Sequence, residues 1–169
     1  MTEQAKRLAA IHHVVHDYAN LVSSGALTQA GPAAKAGVRP PVNTHIQHAF
    51  LLNCRKLADF LQRPPKGDDI AVEHFLGKKE SFGLPVWNRW GKPMDKQLAH
   101  LTYARVTKPT PWDGYKDNKL LLDEFQSAWK KFLAKLEDPY KTGFDEEIAK
   151  RQAPHPDGQP SEFRDLDLR

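Results

Sequence analysis

The stretch NTHIQHAFLLNCRKLADFLQ, residues 43–62, decides the fold class. Its apolar residues recur every three or four positions and form one stripe: Ile46, Phe50, Cys54, Leu57 and Leu61. Because 3.6 residues make one helical turn, this spacing predicts an α-helix from about residue 42 to residue 62. Two consecutive prolines, Pro64 and Pro65, cannot continue such a helix and therefore end it.

The same periodicity predicts three further main helices outside this stretch. They are expected at about Glu3–Ser23, Met94–Val106 and Asp117–Glu137, and shorter helices at Ile70–Leu76 and Phe144–Gln152. No segment alternates between apolar and polar residues with the period of a β-strand. We therefore expect an all-α fold, a bundle of four main helices.

Two parts of the chain interrupt this helical pattern. Gly77–Pro93 is rich in helix breakers and predicts a long irregular connection between the second and third main helices. Residues 138–169 are polar, and three prolines follow residue 153. We expect a helical domain over residues 1–137 and a flexible, partly disordered tail over 138–169, in which residues 153–169 add little to the core.

Composition narrows the classes of function. The formal net charge is +4; residues 138–169 hold eight acidic and five basic residues, which leaves the helical domain at +7. A basic domain suits RNA or another polyanion, although it also serves solubility. No apolar run reaches the roughly 18 residues of a membrane span, and one cysteine, Cys54, excludes a disulfide framework. We expect a cytoplasmic protein with no membrane contact, metal or cofactor.

Four polar residues of the second and third predicted helices form the candidate catalytic site: Arg55, Asp59, His100 and Arg105. Arg55 and Asp59 are one turn apart, beside Leu51 and Leu52, whose side chains need cover. Arg105 lies on the apolar side of its helix, where a charge needs a partner. We expect these residues to meet across the seam between the two helices, as a structural clamp or as an anion-binding or acid–base site.

A loop that interleaves aromatic and basic residues is the candidate nucleic-acid contact: Trp87, Arg89, Trp90 and Lys92. Such a loop can stack on bases while it neutralises phosphates. The alternative is that the tryptophans cover the end of the bundle.

Three histidines, His12, His13 and His16, lie on the first predicted helix. His12 and His16 are one turn apart, a spacing that can chelate a metal, but no third or fourth ligand is evident. The helical wheel places them opposite the apolar stripe. We therefore interpret them as solvent-facing residues.

The segment His48–Leu61, HAFLLNCRKLADFL, with Asp68-Asp69-Ile70 and the later His100–Arg105 segment, resembles an uncharacterised group of bacterial helical proteins. More loosely, it is similar to HEPN domains, four-helix bundles that often act as ribonucleases in toxin and phage-defence systems. The resemblance covers about residues 43–136. HEPN nucleases carry an arginine, four to six residues and then a histidine, a pattern that Arg7 with His12 or His13, and Arg39 with His45, satisfy here.

Two hypotheses follow. The first is an RNA-directed protein, a ribonuclease or a toxin- or defence-type component, that uses the candidate catalytic site. The second is a non-catalytic module that binds a protein partner or regulates one, with a structural polar cluster. The basic domain favours the first hypothesis. The second is favoured because no HEPN arginine–histidine pair begins at Arg55, and because His100 precedes Arg105.

Overall fold

The computed structural model describes residues 1–29, 40–91, 116–154, 161 and 163–169, with side chains from residue 45 in the second range. Its helices are α1 (Glu3–Gln29), α2 (Pro40–Gln62), α3 (Glu73–Leu76), α4 (Lys116–Leu133) and α5 (Tyr140–Gln152), and residues 85–91 are also helical. The described ranges contain no strand, which confirms the all-α prediction. The predicted helix Met94–Val106 lies outside them.

Helix α1 continues to Gln29 instead of ending near Ser23, where the run Ser23-Ser24-Gly25 predicts a stop, because these residues are accommodated in the helix. Ser24 Oγ donates a hydrogen bond to the Asn20 carbonyl oxygen at 2.5 Å. A Cβ atom at Gly25 would lie 2.9 Å from Leu122 Cδ1 and 3.0 Å from Phe50 Cε2. Gly25 therefore marks a close approach of α1 to its neighbours rather than the end of a helix.

The core lies where α1 packs against α2, α4 and α5. Its centre is a group of aromatic rings, here called the aromatic core: Tyr18, Phe60, Phe75, Phe82, Trp129, Phe132 and Phe144. Tyr18 stacks on Trp129 with ring centroids 4.1 Å apart, while Phe132 and Phe144 meet edge to face at 5.2 Å. Such edge-to-face and stacked pairs are the preferred geometries of aromatic rings.

The C-terminal residues differ from the expectation of a loose tail. In α5, Phe144 and Ile148 are fully buried, and beyond it Phe163 and Leu168 also enter the core. Trp129 Nε1 donates a hydrogen bond to the Leu168 carbonyl oxygen at 3.0 Å. The expectation of a loose tail rests on the content of charged residues and prolines, which is an average over the whole segment. Burial of a few apolar side chains at the right positions is enough to attach the segment to the core.

None of the helices in the described part of the chain is both long and apolar enough to cross a membrane.

Candidate functional site

The candidate catalytic site predicted from the sequence is described only in its α2 half. Arg55 is exposed, and Asp59 forms an ion pair with Arg63 at 2.8 Å, one turn further along α2. His100 and Arg105 lie outside the described residues. Their predicted contact with Arg55 and Asp59 therefore stays a prediction.

The predicted nucleic-acid loop is built differently from a base-stacking platform. Trp87 and Trp90 are both buried in the core, with the Trp87 ring 6.2 Å from that of Phe125. Arg89 lies over the Trp90 ring at 5.0 Å, and Lys92 lies outside the described residues. Since stacking on a base needs an open ring face, this geometry favours the alternative, in which the tryptophans cover the bundle.

Glu124 of α4 holds this covering segment in place. Its two carboxylate oxygens accept hydrogen bonds from the backbone amides of Val86 and Trp87, at 2.7 and 2.9 Å. These amides lie at the start of the helical segment 85–91, where a carboxylate is favourable. Burial raises the pKa of Glu124, and the two backbone hydrogen bonds oppose that shift. The arrangement explains the position of the tryptophans without a ligand.

A different polar group stands out, at the contact between α1 and α5. Gly143 allows the two helices to approach, because a Cβ atom there would lie 2.7 Å from Ile11 Cδ1. Glu147 and Arg151 follow at four-residue steps on the same face of α5. On α1, His12 and His16 occupy the matching positions, so the two helices run in the same direction along this contact. We call His12, His16, Glu147 and Arg151 the histidine cluster.

The first interaction in the histidine cluster joins His12 to Glu147. His12 Nδ1 lies 3.0 Å from Glu147 Oε1. An ionised carboxylate can only accept, so Nδ1 carries the proton that it donates. The Glu147 side chain is 13% exposed, whereas the His12 side chain is 55% exposed. The hydrogen bonds of the His12 ring among the described residues are all made by Nδ1, and none is made by Nε2.

The second interaction joins Arg151 to both histidines. Its Nη1 donates to His16 Nδ1 at 2.9 Å, and its Nη2 lies 3.2 Å from His12 Nδ1 and 3.4 Å from the His12 carbonyl oxygen. Its Nε lies 3.1 Å from Glu147 Oε1 as an ion pair, and the Arg151 side chain is 11% exposed. The guanidinium is thus enclosed between the two helices.

His16 is the neutral member of the cluster. Because a guanidinium can only donate, His16 Nδ1 must accept, and the ring proton is then on Nε2. Nε2 lies 2.9 Å from the Asn20 amide, whose oxygen and nitrogen are interchangeable by a flip of the side chain. Burial, together with the charge of Arg151, lowers the pKa of His16, while Asp17 acts in the opposite direction.

A cleft of about 720 Å³ lies beside the cluster, at the C-terminal end of α2. Asp17 and Lys56, joined by a 2.8 Å ion pair, line its near side. The other charged residues of its lining are Asp59, Arg63, Lys66 and Asp69. Acidic and basic side chains are equal in number in this cleft, so its charge does not favour binding of a polyanion. The candidate acid–base groups are therefore those of the histidine cluster.

Sequence reasoning noted the histidines but missed their partners. Glu147 is 135 positions from His12, in a segment expected to be a loose tail. One local signal was present: Gly143, Glu147 and Arg151 share a helical face at four-residue steps. As for metals, no three His, Cys, Asp or Glu side chains within the described ranges converge as possible ligands.

No protein-family model, curated protein or solved structure matches the chain, so the histidine cluster is interpreted from its own geometry.

Proposed function

We propose that the chain is an RNA-directed helical protein that cleaves RNA with His12 as its acid–base group. The observation that carries this proposal is the hydrogen bond from His12 Nδ1 to the enclosed carboxylate of Glu147. A carboxylate on one ring nitrogen fixes the tautomer and the orientation of an imidazole, and leaves the other nitrogen to exchange protons. Nε2 of His12 is that nitrogen, on a side chain that is largely exposed.

Cleavage of RNA at a ribose 2′-hydroxyl needs a group that takes up and returns one proton, and a single imidazole can do both. His12 Nε2 removes the proton of a ribose 2′-hydroxyl, and the 2′-oxygen attacks the adjacent phosphorus. The bond from phosphorus to the 5′-oxygen breaks, and that oxygen takes the proton back from the imidazolium. The products are a 2′,3′-cyclic phosphate and a 5′-hydroxyl end. Arg151, enclosed beside His12, places positive charge near the phosphate.

Two features of the whole chain support an RNA substrate. The net charge is +4 and the isoelectric point about 9.1, which favours contact with a polyanion. Arg7 and His12 also fit the arginine–histidine spacing of HEPN ribonucleases. In this structure Arg7 Nη1 donates to the His74 carbonyl oxygen at 3.1 Å, so Arg151 rather than Arg7 is the arginine next to His12.

The test is cleavage of a labelled single-stranded RNA by the purified full-length protein, beside a DNA strand of the same sequence. We expect His12→Ala to lower the cleavage rate by about 100-fold or more, the usual contribution of a general base. His13→Ala is the matched control, since His13 is the exposed neighbour on the same helix. Glu147→Gln should lower the rate while RNA binding persists.

Two results would contradict the proposal. The first is wild-type protein that leaves RNA intact. The second is cleavage that survives His12→Ala and is lost in His100→Ala, which would move the reaction to the site predicted from Arg55, Asp59, His100 and Arg105. Binding should also weaken steeply as salt rises, because each neutralised phosphate releases counterions.

The second candidate function is a non-catalytic module that binds or regulates a protein partner. One observation favours it: the two Nη atoms of Arg151 donate to His16 Nδ1 and to the His12 carbonyl oxygen, and its Nε forms an ion pair with Glu147, as in a structural clamp between two helices. In that case Arg151→Ala would destabilise the protein, and neither the wild type nor any variant would cleave RNA.

Both proposals place the protein in the cytoplasm. A chain with a single cysteine, and that cysteine buried, suits a reducing compartment, and cellular RNA is present there. Fractionation of cells that express the tagged full-length chain tests this placement.

A further inference from the structure

We propose that His16 acts as a proton-operated latch, in which protonation of its ring releases Arg151 from α1. The latch is a regulatory device in the histidine cluster, and only its effect on RNA rests on the proposed function.

The hydrogen bond between Arg151 and His16 exists in one protonation state. Arg151 Nη1 donates to His16 Nδ1 at 2.9 Å, and this nitrogen can accept only while it is unprotonated. A proton on Nδ1 would point a second donor at an arginine that is always charged. The bond is then lost, and two positive groups face one another in a partly enclosed position.

The groups that face His16 come from each helix packed around it. On α1 they are His12 and Asp17, and on α5 the facing group is Arg151. From α2 comes Lys56, which is bonded to Asp17 at 2.8 Å. Arg151, His12 and Lys56 oppose a charge on His16, and Asp17 favours it. The surroundings therefore favour the neutral ring that the Arg151 hydrogen bond requires.

His12 responds to protonation in the opposite way. A charged His12 strengthens its contact with Glu147, because the hydrogen bond becomes an ion pair. The His12–Glu147 contact thus does not require an unprotonated Nδ1, whereas the Arg151–His16 contact does.

The movement that follows is confined to the end of α5. Phe144 and Ile148 are fully buried and hold the first part of α5 in the core. Ser161 Oγ donates to the Arg151 carbonyl oxygen, so the chain after α5 is tied to the residue that moves. Release of Arg151 frees its guanidinium beside His12, where it can bind a phosphate of RNA.

The direction of the His16 pKa shift determines the pH range in which the latch opens. The pKa of His16 is lower in the folded protein than its ordinary value of 6.5, so the neutral ring is the form that the fold favours. Its contribution to the free energy of unfolding is complete above about pH 6.5. That stabilisation is lost as the pH falls from about 6.5 toward the lower folded value. The latch is closed at neutral pH and opens in mild acid.

The experiment compares the wild type with His16→Asn, in which the amide oxygen replaces the accepting Nδ1 and cannot titrate. Amide hydrogen exchange at Arg151 and Gln152, corrected for its intrinsic pH dependence, should speed up about tenfold or more between about pH 7.5 and 5.5 in the wild type. In His16→Asn it should change by less than about twofold. The matched control, His13→Asn, should behave as the wild type does.

A second measurement does not depend on the folding of His16→Asn. In the wild type, the titration of the His16 ring followed by NMR should have a midpoint below the ordinary histidine value of 6.5, and Arg151→Ala should raise it. Equal exchange in the wild type and in His16→Asn, or a His16 midpoint unmoved by Arg151→Ala, would overturn the latch. An opening latch in a protein that cleaves no RNA at any pH would overturn the proposed function and leave the latch standing.

Discussion

The two faces that α1 presents to the C-terminal half of the chain differ sharply in chemistry. On one face, Tyr18 stacks on Trp129 of α4 in the buried aromatic core. On the other, His12 and His16 meet Glu147 and Arg151 of α5 through directed hydrogen bonds. The same helix therefore forms an apolar contact and a polar contact a few residues apart.

The difference shows which contact stabilises the fold and which contact is sensitive to conditions. Burial of aromatic surface stabilises the fold at every pH. It is also non-directional, so any rotamer that fills the core has this effect. A partly buried hydrogen-bonded cluster contributes little net free energy, but it depends on the presence and the charge of each member. We expect mutations of the aromatic core to change stability, and mutations of the histidine cluster to change pH response and chemistry.

The largest effect is expected from Trp129→Ala, which removes the ring that Tyr18, Phe132 and Phe144 contact. Loss of a large buried aromatic side chain costs about 3–5 kcal/mol of unfolding free energy. Urea unfolding measures this loss. Trp129→Phe, which keeps a ring and removes the hydrogen bond to Leu168, should cost distinctly less. A cost under about 1 kcal/mol for Trp129→Ala would show that the aromatic core is not the stabilising face.

Deletion of residues 163–169 is expected to have the next largest effect. It removes Phe163 and Leu168 from the core, at about 1.5 kcal/mol or more for each buried side chain. A loss of about 3 kcal/mol corresponds to a melting temperature about 6–12 °C lower in a chain of this size. Calorimetry of the deletion variant tests this, and an unchanged melting temperature would restore the view of a loose tail.

Arg151→Ala is expected to cost about 1–3 kcal/mol at neutral pH, because it removes the ion pair with Glu147 and leaves His16 Nδ1 and the His12 carbonyl oxygen without their donor. The cost should shrink in mild acid, where the Arg151–His16 bond is already lost. Unfolding in urea at several pH values measures both. Arg151→Lys should recover only part of the loss, since an ammonium cannot reproduce the guanidinium fork. A cost that does not vary with pH would break the contrast between the two faces.

The smallest effect is expected from His13→Ala. His13 is exposed and contacts the His12 ring edge at a centroid distance of 5.4 Å. Its removal should change the free energy of unfolding by less than about 0.5 kcal/mol, as for most surface substitutions. A larger loss, measured in the same urea titration, would mean that the histidine cluster extends along α1 beyond His12 and His16.

The sequence predicts the aromatic face of α1 much better than its polar face. Ile11, Val14, Val15 and Tyr18 repeat with helical spacing, and all four are buried. This pattern is local, so one stretch of sequence suffices to find it. The end of α1 was missed because Gly25 is read locally as a breaker, whereas the structure uses its small size against Leu122 and Phe50.

The histidine cluster could not be predicted, because its members lie on the first and last helices. A helical wheel of α1 shows His12 and His16 opposite the apolar stripe, where both are exposed as expected, and the wheel alone cannot show which groups of a second helix contact them. For Trp87 and Trp90 the sequence indicates a candidate contact with nucleic acid, and the structure buries both side chains. A loop rich in aromatic and basic residues fits both a nucleic-acid contact and a cover, and only their burial distinguishes the two.

The distance along the chain between the partners of α1 has a consequence for biosynthesis. His12 and Glu147 are 135 positions apart. A ribosome releases the N-terminal part of a chain first, so α1 and α2 can pair early, while α4 and α5 do not yet exist. An interrupted chain therefore carries an uncovered Tyr18 and unpaired histidines, and it presents the exposed apolar surface that chaperones and proteases recognise. Only a chain translated to its end acquires both faces of the contact.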